Sequence, residues 1–245
     1  MFDLSGRTAL VTGAGQNVGA GIATSLARQG AAVVVNDLVG ERAEATAADI
    51  RDAGGSAATA VFDVTDLAAV ESAVAAIGTV DILVNNAGNA GAERMGVTPF
   101  IEMTPEQWEG PIRVNLYGVL NCCRATVPGM VDRGWGRVIT ISSGAGTGGV
   151  NIGVSTYSAG KGGGIAFTRT LALEVARSGV TANSLAIGLM GMPDRNVTEH
   201  LARTVPVGRT GTPLDIAAAC VWLASDEAAW VTAQTIQING GSITT

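Results

Sequence analysis

The sequence predicts a single-domain α/β protein, a Rossmann-type doubly wound parallel sheet with helices on both faces. Three observations predict it. Short apolar runs alternate with helix-like segments from one end of the chain to the other. Hydrophobic residues make up 47% and aromatics only 4%, so the apolar content is mostly Ala, Val, Ile and Leu, which suits buried parallel strands under Ala-rich helices. Glycine, at 34 residues, is about twice ordinary usage, as many tight turns and close backbone approaches require.

Each element has a local reason. Thr8 to Val11 is a β-rich run that ends in a glycine-rich turn, and Ala20 to Arg28 a helix closed by Gly30. Ala32 to Val35 is a second buried strand, followed by a helix at Ala43 to Ala53 that Gly54 and Gly55 close. Thr59 to Phe62 is a third strand, with a helix at Leu67 to Ile77 behind it, and Ile82 to Val84 is a fourth. Thr104-Pro105-Glu106-Gln107 starts a helix, with Thr as cap, Pro at the first position and Gln at the third. That helix is expected to reach Met130, bent or loosened by Pro111. Val138 to Ile141 is a fifth strand, Thr156 to Ala176 a long helix, Thr181 to Ala186 a sixth strand, Ile216 to Leu223 a helix and Thr235 to Ile238 a last strand. No linker, repeat or low-complexity stretch divides the chain, so residues 1–245 are expected to form one domain. Ligands of such sheets bind beyond the carboxyl ends of the strands, so the turns after the strands are where chemistry belongs.

Charge and composition exclude several classes. The net charge is −6 with no basic cluster, which argues against nucleic acid and against an anionic membrane surface. No apolar run approaches the ~18 residues of a membrane span. The opening Met-Phe-Asp-Leu-Ser-Gly-Arg lacks the charged and apolar regions of a signal peptide, so a cytoplasmic location is expected. Cys122, Cys123 and Cys220 have no metal-ligand spacing and read as reduced core thiols. A single histidine, His200, makes a histidine-rich metal site untenable, and no metal is expected.

The first strand runs into Thr12-Gly13-Ala14-Gly15-Gln16-Asn17-Val18-Gly19. Such a turn lets backbone N–H groups approach a pyrophosphate at a helix N-terminus. The literal G-x-G-x-x-G spacing fails, because Val18 stands where its last glycine belongs. Asp37 ends the second strand, 24 residues after Gly13. A carboxylate there either accepts from both adenosine ribose hydroxyls or caps the next helix. In the first case it repels a 2′-phosphate, and no basic residue at Leu38 or Val39 reverses that, so NAD is expected over NADP.

Tyr157 and Lys161 stand at i and i+4, on one face of a helix. A phenol needs its pKa lowered from about 10 to serve as a base near neutrality, and a neighbouring Lys cation supplies part of that. The spacing alone occurs by chance in many helices. Its weight comes from Ile139-Thr140-Ile141-Ser142-Ser143-Gly144, a strand ending in hydroxyls just upstream. A serine there can hold a substrate oxygen while Tyr157 exchanges its proton.

Taken together these motifs resemble the short-chain dehydrogenase/reductase family over the whole chain. The matching residues are Thr12-Gly13 through Gly19, Asp63-Val64, Asn85-Asn86-Ala87-Gly88, Val114-Asn115, Ser142-Ser143, Tyr157 with Lys161, and Ile238-Asn239-Gly240-Gly241. Pro206-Val207-Gly208-Arg209 and the stretch Leu223 to Ala228 resemble the 3-oxoacyl-carrier-protein-reductase-like branch. The resemblance implies an NAD-dependent enzyme that interconverts a secondary alcohol and a ketone. It implies Tyr157 as general acid and base, and Ser143 rather than Ser142 on the substrate oxygen. Lys161 would lower the Tyr157 pKa and hold the nicotinamide ribose, while Asn115 would keep a water that links Lys161 to solvent. Gly13, Gly15, Gln16, Asn17, Val18 and Gly19 would hold the pyrophosphate, Asp37 and Leu38 the ribose, and Asp63 and Val64 the adenine. Asn86, Ala87, Gly88, Ile187 and Gly188 would line the cofactor cleft. A homotetramer is also implied, with the long helices pairing across subunits through Ala159, Gly160, Gly162, Gly163 and Gly164. The alternatives are an NADP-dependent 3-oxoacyl thioester reductase and a non-catalytic cofactor-sensing protein of the same fold.

Several positions depart from the family pattern. Asn17 replaces a glycine, Ile187 a proline, and Met192 a hydroxyl residue. If position 17 needs a positive φ, Asn is among the least costly substitutes. The connection from Gly188 to Pro206 is short, which predicts a small lid. The loop from Gly88 to Thr104 is long, and Met95, Val97 and Phe100 are expected to wall the pocket.

Overall fold

Side chains alternate across a strand, and here both faces of every central strand are buried. Leu10, Val34 and Leu83 point to one side of a sheet, and their neighbours Ala9, Val11, Val33, Val35, Ile82 and Val84 to the other. That is why the strands read as unbroken apolar runs. The computed structural model describes residues 1–88, 96–192 and 194–244. The strands are β1 Thr8–Val11, β2 Ala32–Asp37, β3 Ser56–Val61, β4 Ile82–Asn85, β5 Gly136–Ser143, β6 Val180–Ile187 and β7 Thr235–Ile238. They pair in parallel in the order β3-β2-β1-β4-β5-β6-β7. The order reverses between β1 and β4, and the crevice at their carboxyl ends is the natural ligand position.

Helices α1 Asn17–Arg28, α2 Gly40–Asp52 and α8 Pro213–Ala224 cover one face, through Ile22, Leu26, Ile50, Ile216 and Leu223. Helices α3 Leu67–Ile77, α5 Gly118–Arg133 and α6 Ser155–Val175 cover the other, through Val70, Val74, Val119, Met130 and Val175. Two shorter helices complete the chain, α4 Glu106–Ile112 and α7 Arg195–Ala202.

The expected elements are present, with α1, α2 and α8 each starting three residues before the expected position and three further differences. The helix expected from Thr104 to Met130 is not continuous. Gln107 does reach back from its side chain to the Thr104 amide at 2.8 Å, as the start signal required. After α4, however, residues Arg113–Tyr117 form a wider π-type turn before α5 begins. Pro111 has no N–H to give the helical ladder, and widening follows directly after it. Strand β3 begins three residues before the expected Thr59, because Ser56, Ala57 and Ala58 lie on a largely exposed sheet edge and make no apolar run. Helix α7 was not expected. It buries none of its residues and its apolar face is short, with Val197 and Leu201 one turn apart, and Asp194 caps it by accepting from the amides of Asn196 and Val197.

The small residues of α6 also have a different purpose from the one the sequence suggested. A Cβ on Gly160 would lie 2.9 Å from the Pro111 oxygen, and one on Gly164 3.3 Å from the Asn115 oxygen. A Cβ on Gly163 would meet Leu116 and one on Gly162 the Gly146 oxygen, each at 3.3 Å. These glycines let α6 close onto the π-type turn and the loop after β5 of its own chain.

Candidate active site

The turn after β1 is held by its own Thr12 and by Asn86, the residue that follows β4. Asn86 donates from Nδ2 to the carbonyls of Thr12 and Gly13, both at 2.9 Å. The Thr12 hydroxyl accepts from the amides of Asn86 and Ala87 at 3.0 and 3.1 Å. This lattice leaves no room for side chains: a Cβ on Gly19 would lie 2.3 Å from the Gly13 oxygen, and one on Gly13 2.9 Å from the Ala87 Cα. Asn17, which starts α1, has φ 49°, so asparagine occupies the left-handed conformation expected of it. Gln16 precedes it in extended backbone, and no acidic residue stands in the first turn of α1. The positive end of that helix therefore faces the crevice uncompensated.

Asp37 joins this turn to α2. Its carboxylate accepts from the Gly15 amide at 3.1 Å and from the Val39 amide at 3.0 Å. It therefore braces the phosphate turn and the approach to α2 together, and Leu38 beside it is exposed. Asp63 accepts from the Thr65 amide at 2.8 Å, and the Val64 carbonyl accepts from Asn121 Nδ2 at 2.9 Å. The close glycine cradle, the free helix end and the buried carboxylate on the ribose side fit a dinucleotide.

The adjacent strand ends carry the hydroxyls. Ser142 is buried and donates to the Lys161 carbonyl at 3.1 Å, which fastens α6 to β5. Ser143 is half-buried, accepts from the Ala145 amide at 3.2 Å and has its hydroxyl on the Tyr157 side, where it favours the phenolate. The two neighbouring serines thus have separate positions, one inside and one facing the crevice. The Lys161 ammonium donates to the Ile141 carbonyl at 2.7 Å and lies 5.9 Å from the centre of the Tyr157 ring. Gly88 closes the group: a Cβ there would lie 2.8 Å from Lys161 Nζ and 3.0 Å from Asn115 Oδ1. Asn115 sits in the π-type turn, 2% exposed, and donates to the Pro111 carbonyl at 2.8 Å.

The electrostatics differ from the sequence expectation. Lys161 is 7% exposed, and burial lowers its pKa from 10.5 to about 8. Burial raises the Tyr157 phenol above its ordinary 10, and the Ser143 hydrogen bond opposes that rise. The Lys161 ammonium, directed at the Ile141 carbonyl, is not among the groups that move Tyr157 in the protein without cofactor.

The remaining expected positions are mixed. Ile187 pairs with Ser143 across the β5–β6 register, and a Cβ on Gly188 would lie 2.7 Å from the Asn239 Cα. Met192 is exposed, with its backbone tied to the Thr198 hydroxyl. Val97 and Phe100 are exposed, Phe100 stacks on Trp108 at 5.4 Å, and the Thr98 amide donates to Gly153 at 2.9 Å. Met95 lies outside the described residues. The Ile141 carbonyl, Ser142 and the Pro111 carbonyl were not anticipated. Backbone acceptors leave no signal in a sequence, and Ser142 was set aside because its neighbour took the role.

Comparisons with known proteins agree on one family. The sequence model described as short chain dehydrogenase matches residues 7–200. A 3-oxoacyl-[acyl-carrier-protein] reductase of Vibrio cholerae is 38% identical, over 98% of this chain and 98% of its own. The crystal structure of a gluconate 5-dehydrogenase from Burkholderia cenocepacia, in complex with NADP and tartrate, superposes with a TM-score of 0.89 at 36% identity, covering 98% of this chain and 96% of that one. A 3-oxoacyl-[acyl-carrier protein] reductase with bound NAD from Brucella melitensis gives 0.92 at 31% identity, covering 99% and 94%.

Lys161 is the only lysine in the chain, so its ammonium can be observed alone. With ¹⁵N-lysine labelling, the single side-chain resonance should titrate with a midpoint near pH 8 in the protein without cofactor. Because the folded value lies below 10.5, the unfolded chain binds more protons between pH 8 and 10.5. The contribution of Lys161 to stability is therefore fully present above pH 10.5 and is lost as pH falls through 8, a change of about 3 kcal/mol. A midpoint at 10 or above would show that the ammonium is solvated.

Proposed function

The chain belongs to the short-chain dehydrogenase family, and from that premise we propose that it interconverts a secondary alcohol and a ketone with NAD, using Tyr157 as general acid and base. It is an NAD(P)-dependent oxidoreductase acting on CH–OH and keto groups, of the 3-oxoacyl-reductase-like branch. The observation that carries the residue assignment is the convergence of Ser143, at the end of β5, with Tyr157 and the buried Lys161 of α6, beside the turn that fits a dinucleotide.

The roles are those the family resemblance implies, and the placement of the residues supports them. Ser143 holds the substrate oxygen, since it is the half-buried serine at the strand end. Tyr157 takes the hydroxyl proton when an alcohol is oxidised and returns it when a ketone is reduced. Bound NAD supplies the hydride acceptor, and its positive ring also favours the phenolate. Lys161 holds the nicotinamide ribose and stabilises the phenolate, and Asn115 keeps a water in the π-type turn that links Lys161 to solvent. Gly13 to Gly19 hold the pyrophosphate, Asp37 with Leu38 the ribose, Asp63 with Val64 the adenine, and Asn86, Ala87, Gly88, Ile187 and Gly188 the rest of the cleft.

A second reading, reduction of a 3-oxoacyl thioester, is favoured by the identity shared with the Vibrio cholerae reductase along nearly its whole length. Three unpaired buried cysteines suit the cytoplasm. A homotetramer built through the Thr104–Met130 segment and α6 is supported by Tyr117, in the π-type turn, and Leu173, on α6, which are 52% and 69% exposed.

Replacing Tyr157 by Phe should lower turnover by about 10²–10⁴-fold while NAD still binds by calorimetry. A variant with near-normal kcat on a good substrate would overturn the assignment. For the cofactor, kcat/KM with NADH should exceed that with NADPH by about tenfold or more, since juxtaposed like charges cost upwards of about 1.4 kcal/mol. Asp37→Ala combined with Leu38→Arg should shift the preference toward NADPH, and faster turnover of NADPH by the parent contradicts the reading. Light scattering at micromolar concentration should give the mass of four chains; a monomer counts against the assembly.

A further inference from the structure

The loop that follows Ser143 is too rich in glycine to hold its own shape. Of the six residues from Gly144 to Gly149, four are glycine. Gly144–Gly146 form one 3₁₀ turn, with the amides of Thr147 and Gly148 donating to the Gly144 carbonyl at 3.1 and 2.8 Å. Glycine has the largest backbone entropy to lose on ordering. Yet Ser143 must stay in one position against Tyr157.

The α6 backbone holds one side of this loop at Gly146, and the chain's own C-terminal segment holds the other. Gly240 and Gly241, at φ 63° and 88°, turn the backbone after β7 back toward the site. Asn239 knots this turn. Its Nδ2 donates to the Ile243 carbonyl at 2.9 Å and to Gln237 Oε1 at 3.1 Å, and its Oδ1 accepts from the Gly241 amide at 2.9 Å. Gln237 in turn donates from Nε2 to the Thr147 hydroxyl at 3.1 Å. The Ile243 side chain fills the space beside two of the loop glycines. Its Cδ1 is 2.6 Å from where a Gly144 Cβ would stand, and its Cγ2 3.6 Å from the Gly148 position.

We infer that Ile243 is a positioning residue, which holds the Gly144–Gly149 loop, and through it Ser143, in the orientation that receives the substrate oxygen. The inference rests on Ser143 having that role. It also accounts for the motif Asn239-Gly240-Gly241, whose turn delivers Ile243 to the loop. Ile243 touches neither the Asp37 side of the crevice nor the phosphate turn, so its effect falls on the ketone and not on the cofactor.

Ile243→Ala should lower kcat/KM for a ketone about tenfold, since displacement of reacting groups by about 1 Å costs up to 10²-fold. The dissociation constant of NADH, read by fluorescence, and the thermal midpoint should stay near those of the parent. Amide exchange at Gly148 should quicken about tenfold, and Ile243→Leu should restore most of the activity and the protection. Thr147→Val, which cuts the Gln237 contact from the other side, should give a smaller loss of the same kind. Should Ile243→Ala fold poorly, Thr147→Val together with Gly148 exchange decides the matter. The inference fails if Ile243→Ala keeps kcat/KM within twofold, if NADH binding weakens in parallel, or if Ile243→Leu is as impaired as Ile243→Ala. Ser143→Ala in the same assay separates the two claims. If it is fully active, the role of Ser143 is wrong; if it is inactive while Ile243→Ala is not, only the brace is wrong.

Discussion

A buried ammonium is costly, and the architecture around Lys161 is organised by where that charge can be tolerated. Its Nζ is turned into the Ile141 carbonyl at 2.7 Å, and its own carbonyl accepts from Ser142 at 3.1 Å. These two bonds fix the register of α6 on β5. Tyr157, one helical turn earlier, is thereby brought to the Ser143 end of the strand. The neighbours of Lys161 are correspondingly small. A side chain at Gly88 would strike Nζ, and one at Gly146 would strike the Lys161 backbone at 3.0 Å. Gly160 lets the helix close onto Pro111 and Asn115. The π-type turn has the same logic, since Pro111 interrupts the ladder and its carbonyl becomes the acceptor for Asn115.

The sheet brings the two halves of the chemistry together. Strands β1 and β2 end at the glycine cradle and at Asp37, and Asn86, which follows β4, is the strut between them. Strands β5 and β6, on the far side of β4, carry Ser143 and Ile187 in register. A dinucleotide spanning the crevice from β2 toward β5 would thus have its adenosine end against Asp37 and its reactive end against Tyr157. The C-terminal turn after β7 completes the far wall by packing on the loop after β5.

Most of this arrangement was legible in the sequence, for identifiable reasons. The strands buried on both faces announce themselves as apolar runs, and α3 and β7 have the expected limits. The positive φ of Asn17 followed from the demand of the turn for a residue that tolerates it. Elements that bury little were harder. Strand β3 lies at an exposed edge and α7 buries nothing. The division of the Thr104–Met130 helix depends on how Pro111 is accommodated, which a sequence suggests without resolving. The glycines of α6 show the limit most clearly. Smallness is legible, but the partner that requires it is set by tertiary packing, here Pro111, Leu116 and Gly146. Spacing also places Lys161 near Tyr157 without revealing that its ammonium bonds the Ile141 carbonyl, or that burial raises the phenol in the protein without cofactor.

In the proposed mechanism Tyr157 serves as a base only when cofactor and Lys161 act together against burial. The chain has two tyrosines, so in a Tyr117→Phe background ultraviolet titration of tyrosinate reports Tyr157 alone. Without cofactor the midpoint should lie above 10, as burial dictates. With saturating NAD it should fall below 10, and Lys161→Met should abolish most of that fall. A midpoint that is the same with and without NAD, or one that falls equally in the Lys161→Met variant, would contradict the account.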